Sequence, residues 1–137
     1  MTTLDSHNDT FHGSSASVRT YLTAEVVTLA PVASVRDAAQ KLADAGVGVL
    51  LIGTVDDVTA VVSERDIVRA VAQGLDLDST PAAHLGSTEL FWIDADDTIG
   101  DAAEEMMEDY VRHVLVRDDQ GLVGMLSMRD VVSAYIT

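Results

Sequence analysis

Apolar and polar positions follow two periods along this chain, and together they predict an order of helices and strands. Residues 35–42 place apolar side chains at i, i+3, i+4 and i+7, the spacing of one helix face. Residues 47–52 form a continuous apolar run rich in branched side chains, which predicts a buried strand. Residues 58–62 predict another strand, and Ser63 is suited to cap the helix that follows.

This order of elements occurs twice. The motif SERDIV at 63–68 returns as SMRDVV at 127–132, and VRDAA at 35–39 returns as IGDAA at 99–103. Residue 63 corresponds to 127 and residue 35 to 99, so both landmarks are displaced by 64 positions with no gap between them. A duplication of this kind predicts two copies of one structural unit.

The predicted elements divide the chain into three segments. We assign residues 1–16 to a polar, disordered leader, 17–75 to repeat 1 and 76–137 to repeat 2. Repeat 1 opens with a short helix at 18–22 and a strand at 26–29. Repeat 2 is predicted to contain a short helix at Thr80-Pro81, a strand at 90–93, a helix capped by Thr98, strands at 111–116 and 122–126, and a last helix capped by Ser127 with Val131, Val132 and Tyr135 inward.

Each repeat therefore has the order β-α-β-β-α, and the fold class is α/β (α+β). One repeat holds about 60 residues, a size at which a core buried by one repeat alone is marginal. We therefore expect the two units to dock about a pseudo-twofold axis. A cleft between two such halves is where we expect the functional site.

Composition excludes several classes of protein. Apolar residues make up 47% of the chain, which is enough for a core, and the absence of cysteine excludes disulfides. No apolar run reaches the roughly 18 residues of a membrane span, and no signal-peptide pattern begins the chain. The formal charge of −15 disfavours binding to nucleic acids and to anionic membranes. We expect a soluble, cytoplasmic protein.

The motif Ser-x-x-Asp stands at both predicted strand-to-helix turns and has two explanations. It can be a capping box, in which serine and the acidic residue three positions later satisfy the first backbone N–H groups of a helix. It can also be part of a nucleotide site, because an arginine precedes each aspartate, at Arg65 and Arg129. A cation in the first helical turn opposes the helix dipole, which favours another partner for it. Carboxylate, hydroxyl, guanidinium and helix N-terminus together suit a ribose and a phosphate.

The duplicated order, with VVTLAPVASVRDAA, VGVLLI and VVSERDIVRA in sequence, resembles the cystathionine β-synthase (CBS) domain pair over about residues 17–137. This resemblance implies a regulatory module that binds AMP, ADP, ATP or S-adenosylmethionine between its two units, usually as a dimer. It implies no required cofactor, no metal and no catalytic residue.

The resemblance also implies which residues line two clefts. In the first, Asp130 accepts from the ribose, and in the second, Asp66 does so. The remaining residues of the first cleft are Thr28, Ala30, Val47, Gly48, Arg112, Ser127 and Arg129. The remaining residues of the second are Ser63, Arg65, Trp92, Asp94 and Val111, with Arg112 shared. Trp92 and Asp94 depart from the family pattern, so we expect the Asp130 cleft to be the better site.

Two functions remain open at this point. The first is a stand-alone sensor of an adenosine-containing ligand, acting on an effector protein that the sequence does not identify. The alternative is a protein-interaction module with empty or vestigial clefts. An enzyme is not expected, because no nucleophile is paired with a base in any recognisable motif. The resemblance further implies a homodimer, for which Leu42 and Met106, with Ala43 and Met107 beside them, were expected to form the apolar faces.

Overall fold

The computed structural model describes residues 14–136, which form two compact units. Val26–Leu90 form one, which we call the central unit; the described residues of both chain ends, 14–25 and 91–136, form the other, the terminal unit. In chain order the elements are α1 (Val18–Tyr21), β1 (Thr28–Leu29), α2 (Val35–Ala45), β2 (Val49–Thr54), β3 (Asp57–Ser63), α3 (Glu64–Ala72), a short 3-10 helix (Ala82–His84), β4 (Trp92–Asp94), α4 (Ile99–Asp109), β5 (His113–Asp118), β6 (Gly121–Ser127) and α5 (Met128–Ile136).

The central unit is a three-stranded sheet with two helices packed against each other. The strand order is β1-β2-β3, parallel between β1 and β2 and antiparallel between β2 and β3. Leu50 and Ile52 of β2 enter a core with Ala38 and Leu42 of α2. Leu51 is fully buried on the opposite side of the strand, so both faces of β2 are covered, as the continuous apolar run predicts.

The terminal unit repeats this sheet with strands β4-β5-β6 in the same order and directions. Its core contains Val114 and Val116 of β5 together with Ile99 and Met106 of α4. The short helix α1 adds Val18, which is fully buried there. The first described helix of the chain therefore packs with the second sequence repeat.

Backbone hydrogen bonds fix this N-terminal segment in the terminal unit. Thr23 donates to the carbonyl of Met125 at 2.8 Å and accepts from its N–H at 3.0 Å. The N–H of Ile99 donates to the carbonyl of Ala16 at 2.8 Å. Residues 14–16, the described end of the predicted leader, are thus part of this unit; residues 1–13 lie outside the described part of the chain.

The helix termini follow the predicted chemistry. Ser34 and Ser63 each close a capping box with the aspartate three residues later, and Thr98 accepts from the N–H of Asp101. Gly46 ends α2 in the left-handed conformation, where a side chain is disfavoured. At the equivalent end of α4 stands Tyr110, also left-handed, with φ 57°.

Two expectations about side-chain direction are wrong. Val132 and Tyr135 do not point inward: they are 52% and 42% exposed, and Val131 and Ala134 are the buried residues of α5. Leu42 and Met106 cannot form a dimer surface, because each is buried in the core of its own unit. Helix α5 is apolar on more than one side, so periodicity alone does not single out its core face.

Across the described helices, none is both long and apolar enough to cross a membrane.

Two glycines with the same backbone angle give a matched test of packing at the strand turns. Gly53 and Gly121 both have φ 109°, but a Cβ at Gly53 would lie 2.2 Å from the carbonyl oxygen of Asp57, whereas one at Gly121 would meet nothing within 4 Å. We expect Gly121→Ala to lower the free energy of unfolding by about 1–3 kcal/mol through backbone strain alone. Gly53→Ala should lower it further, as measured by urea denaturation; equal losses would contradict the contact.

Candidate functional site

The predicted Ser-x-x-Asp motif forms a strand-to-helix turn in each unit. In the central unit, Asp66 Oδ2 accepts from the N–H of Ser63 at 2.8 Å and from its hydroxyl at 3.0 Å. The N–H of Asp66 donates to Ser63 Oγ at 3.3 Å. In the terminal unit, Asp130 Oδ2 accepts from the N–H of Ser127 at 2.8 Å, and the N–H of Asp130 donates to Ser127 Oγ at 3.0 Å. The capping explanation of the motif is therefore correct in both units.

Capping uses only one oxygen of each carboxylate, and the two copies differ at the other. Asp66 Oδ1 lies 3.8 Å from a guanidinium nitrogen of Arg69. At the position equivalent to Arg69, the terminal unit has Ser133. Asp130 Oδ1 has no hydrogen bond or ion pair within residues 14–136. The half-buried Asp130 carboxylate thus keeps an acceptor for another molecule.

The start of the middle strand is bound to the same turn. The N–H of Met128, first residue of α5, donates to the carbonyl of Arg112 at 2.8 Å. In the central unit, the N–H of Glu64 makes the equivalent bond to the carbonyl of Gly48 at 2.9 Å. The backbone of Arg112 therefore lies at the turn that carries Asp130, within one unit, and the role of Arg112 towards a ligand stays a prediction.

The two turns differ in charge at the first helix residue and at the start of the middle strand. Glu64 of the central turn is replaced by Met128, and Gly48 by Arg112. A Cβ on Gly48 would lie 2.8 Å from the Glu64 carboxylate, so an acid occupies the space beside that strand start. In the terminal unit, Met128 stands at the position of Glu64, so this acid is absent. Arg112 stands at the position of Gly48 and adds a cation. The terminal turn is thus the more favourable one for an anion.

Arg112 and Arg129 are exposed and have no acidic partner among the described residues. Lys41, Arg65 and Arg117 have none there either, so the terminal turn is distinguished by Arg112, whose counterpart is Gly48. Arg19, for comparison, contacts both Asp96 and Asp118. A surface ion pair, the ordinary role for Arg112, is therefore not formed there.

The other residues assigned to the Asp130 site belong to the central unit. Thr28 is half-buried and pairs with Leu51 in the sheet, and Ala30 follows the strand and is exposed. Val47 packs against the central core, and Gly48 precedes β2. Their role towards a ligand stays a prediction.

The terminal-unit residues assigned to the Asp66 site are engaged locally. Trp92 is half-buried, and the guanidinium of Arg117 lies 5.4 Å from its ring centroid, a cation–π contact that covers one face of the indole. Asp94 accepts from the N–H of Asp96 at 2.9 Å, which closes its own loop. Val111 packs against the terminal core. Neither Arg117 nor its contact with Trp92 was foreseen from the sequence.

His113 is a residue that sequence analysis left without a role. It pairs across the sheet with Ser127, the residue that caps α5. Burial lowers the pKa of His113 below its ordinary value of 6.5, and Arg112 lowers it further, whereas Asp130 on α5 raises it. The equivalent residue of the central unit is Val49, and this difference between the copies was the available signal.

The lowered pKa of His113 predicts a pH dependence of stability. Because the unfolded chain binds this proton more readily than the folded one, the free energy of unfolding should decrease as the pH falls below about 6.5. His113→Val should reduce this decrease between pH 7 and pH 5, as followed by urea denaturation at each pH. The exposed His84→Gln is the control and should leave the profile as in the parent; an unchanged profile in His113→Val would refute the assignment.

Comparison with known proteins places this geometry in a family. The model of the CBS domain matches residues 18–73 and 82–137. The CBS domain-containing protein YhcV of Bacillus subtilis is 28% identical over 116 residues, which cover 84% of this chain and 82% of that protein. An uncharacterized protein of Methanopyrus kandleri is 27% identical over 121 residues, 86% of this chain, and the chain spans only 62% of it.

Among solved structures, a CBS domain protein from Pyrobaculum aerophilum in complex with AMP is similar to this one. The two share 36% sequence identity with a TM-score of 0.73, over 83% of this chain and 88% of that one. The family match covers most of the chain and falls on both repeats. The chain therefore belongs to the CBS domain family and contains two CBS domains in tandem.

Proposed function

We propose that this chain is a regulatory module that binds an adenosine-containing ligand, with the Asp130 turn as its main contact. The observation that carries the proposal is the pair Arg112 and Arg129, left without acidic partners beside a carboxylate with a spare acceptor oxygen. These groups combine an acceptor for hydroxyls with donors for an anion, which is what a nucleotide requires.

Asp130 supplies the contact to ribose in this proposal. Its Oδ2 is held by the N–H of Ser127, so the carboxylate has a fixed orientation. Its Oδ1 is then directed by the same bond and can accept from a ribose hydroxyl. A preordered acceptor loses less entropy when the ligand binds, which favours affinity.

Arg112 and Arg129 supply the contact to phosphate. Arg129 lies in the first turn of α5, where the backbone N–H groups and the helix dipole also favour an anion. Arg112 is tied to that turn through its own carbonyl, so its guanidinium starts from a fixed backbone position. The formal charge of −15 repels an anion at long range, but at ionic strengths near 0.15 M charges more than about 8 Å apart are largely screened.

The Asp66 turn is less suited to the same ligand. Its second oxygen faces Arg69, and Glu64 lies where a phosphate would approach. Trp92 and Asp94, assigned to this site by resemblance, already make the contacts described above. We therefore propose one main site rather than two equal ones.

AMP is the ligand we expect first, supported by the relative from Pyrobaculum aerophilum that was solved with AMP. ADP, ATP and S-adenosylmethionine are the other candidates. The module acts without catalysis in this proposal: the ligand shifts the population of states that an effector protein recognises, through its differential affinity for them. We further propose that the chain acts in the cytoplasm and pairs with a second copy of itself.

Substitution of the aspartate at each turn by asparagine tests ligand binding separately from helix capping. Asp130→Asn keeps an oxygen that accepts the capping bond but lowers the acceptor strength towards ribose hydroxyls. We expect AMP affinity to fall at least about tenfold, or about 1.4 kcal/mol, measured by titration calorimetry. Asp66→Asn is the matched control and should change AMP affinity little.

If Asp66→Asn alone abolishes binding, the assignment of the main site is wrong. If the parent chain binds none of the four ligands at millimolar concentration, the module is an interaction domain instead.

A comparison of AMP with adenosine isolates the phosphate contact. Arg112→Gln should weaken AMP binding about tenfold and leave adenosine binding unchanged, because only the phosphate interacts with the guanidinium. Asp130→Asn should weaken both ligands. Arg36→Gln removes a cation from helix α2 and serves as the control for net charge. Equal losses for AMP and adenosine in Arg112→Gln would exclude a phosphate contact.

A further inference from the structure

His113 places a titratable side chain at the turn that carries Asp130. It is the first residue of β5 and pairs across the sheet with Ser127, the residue that caps α5. Residues directly opposite each other on antiparallel strands have their side chains on the same face of the sheet, with Cβ atoms about 5 Å apart. The imidazole therefore lies beside the serine whose Oγ accepts from the N–H of Asp130 at 3.0 Å.

The imidazole is not part of the core that the helices of its unit cover. Val114, the next residue, enters that core, and successive side chains of a strand point to opposite faces of the sheet. His113 is half-buried, and its ring has no hydrogen bond or ion pair within residues 14–136. Neither that core nor a bond within this part of the chain therefore requires a histidine at this position.

The two copies of the turn differ at this position as well. Val49 of the central unit stands opposite Ser63 and cannot titrate. In the terminal unit the histidine directly follows Arg112, whose counterpart is a glycine. A guanidinium and a protonatable imidazole are thus adjacent in the copy whose aspartate keeps a spare acceptor oxygen, and the other copy has neither.

Two charged groups of the turn act on His113 with opposite sign. Burial lowers its pKa below 6.5, Asp130 of α5 raises the pKa and Arg112 lowers it. The residue that faces it from β6 is an uncharged serine, and the acidic residue of β4, Asp94, pairs with Arg117 towards the other end of β5. The ring is therefore mostly neutral at pH 7, and charge added at this turn changes its protonation.

We propose that His113 is a further cationic group of the phosphate site, neutral in the free chain and protonated when a phosphate-bearing ligand binds at the Asp130 turn. This inference rests on the proposed function and adds the way in which pH regulates it. A phosphate close to the ring favours the imidazolium, as a carboxylate does. Adenosine brings no such charge, so the preference for AMP over adenosine increases as the pH falls.

The direction of the effect follows from the linkage between proton and ligand. If the complex holds the proton of His113 more tightly than the free chain does, the proton strengthens ligand binding by the same factor. A ligand that raises the proton affinity of the ring tenfold therefore gains at most about tenfold in its own affinity. This gain is complete below the pKa of His113 in the free chain, which lies under 6.5, and is lost as the pH rises through the pKa in the complex.

Titration calorimetry with AMP and with adenosine tests the proposal, on the parent chain and on His113→Gln. We expect the two chains to bind AMP equally at about pH 8, and the parent to bind it about three- to tenfold more tightly at about pH 6. Adenosine should not distinguish them at either pH. The exposed His84→Gln is the matched control and should behave as the parent does.

The phosphate of AMP titrates in the same range, because the second pKa of a phosphate lies near 6. Comparison of the parent with His113→Gln at each pH removes this effect, since the ligand is the same. Proton uptake gives an independent measurement. At about pH 7, calorimetry in buffers of different ionisation enthalpy should show that AMP binding takes up more protons with the parent than with His113→Gln.

NMR of the histidine-labelled chain follows the ring itself and shows whether the chain stays folded at each pH. The signal of His113 is assigned by its loss in His113→Gln. Saturating AMP should raise the proton affinity of His113 about tenfold, whereas adenosine should change it little and His84 should respond to neither. His113→Val, which carries the residue of the central unit, is a second neutral variant and should bind AMP as His113→Gln does.

The possible results separate this inference from the function on which it rests. If parent and variants bind AMP with the same ratio of affinities at both pH values, and AMP leaves the titration of His113 unchanged, the role of His113 is overturned while the nucleotide site stands. A ratio that falls with the pH would overturn it as well. If AMP binds to the parent at neither pH, both proposals are wrong.

Discussion

The hydrogen bonds at the strand-to-helix turn are what the rest of the structure depends on. At this turn, one aspartate oxygen accepts from the N–H of the serine three positions earlier. The N–H of the first helix residue donates to the carbonyl of the residue that precedes the middle strand. These bonds orient the last helix of each unit against its sheet and satisfy donors that a helix N-terminus leaves open. Capping is compatible with the proposed binding at Asp130, because the bond that caps the helix uses one carboxylate oxygen and fixes the orientation of the other.

Duplication of this turn lets one copy change while the other keeps the fold. Exchange of Glu64 for Met128, Gly48 for Arg112 and Arg69 for Ser133 leaves the backbone bonds the same but alters the charges around the shared arginine and aspartate. Exposed helix positions also differ in side-chain size between the two units, whereas buried positions correspond between them. The core limits each unit to one architecture, and the side chains outside it carry the differences.

Much of the fold follows from the sequence because local rules act on single residues. Ser34, Ser63 and Thr98 cap the predicted helices, and Gly46 ends one of them, as their chemistry requires. Strand ends were less predictable: of the predicted strand 26–29 only Thr28 and Leu29 are strand residues, although the carbonyl of Val27 accepts from the N–H of Leu51 at 2.9 Å.

Other features depend on the tertiary fold. The inward face of α5 could not be chosen by period, since apolar residues surround much of that helix: Val131 is buried as predicted, but Ala134 is the other buried residue and Val132 and Tyr135 are exposed. The residues assigned to the ligand site were identified by the family resemblance. The charges around them depend also on contacts between residues that lie far apart in sequence. The contact of Arg117 with Trp92 is one that no local spacing rule predicts, whereas Asp66 and Arg69 stand at the i, i+3 spacing of one helix.

The terminal unit is assembled from both ends of the chain, which sets an order for its formation during synthesis. Val18 of helix α1 and the following Thr23 are synthesised well before their partners, the core around Val114 and the backbone of Met125. The central unit, continuous from Val26 to Leu90, can fold while its neighbour is still incomplete. Closure of the terminal unit then joins residues about a hundred positions apart, a loop whose entropy is lost in one late step. A chain interrupted before β6 would lack part of the core that covers Val18.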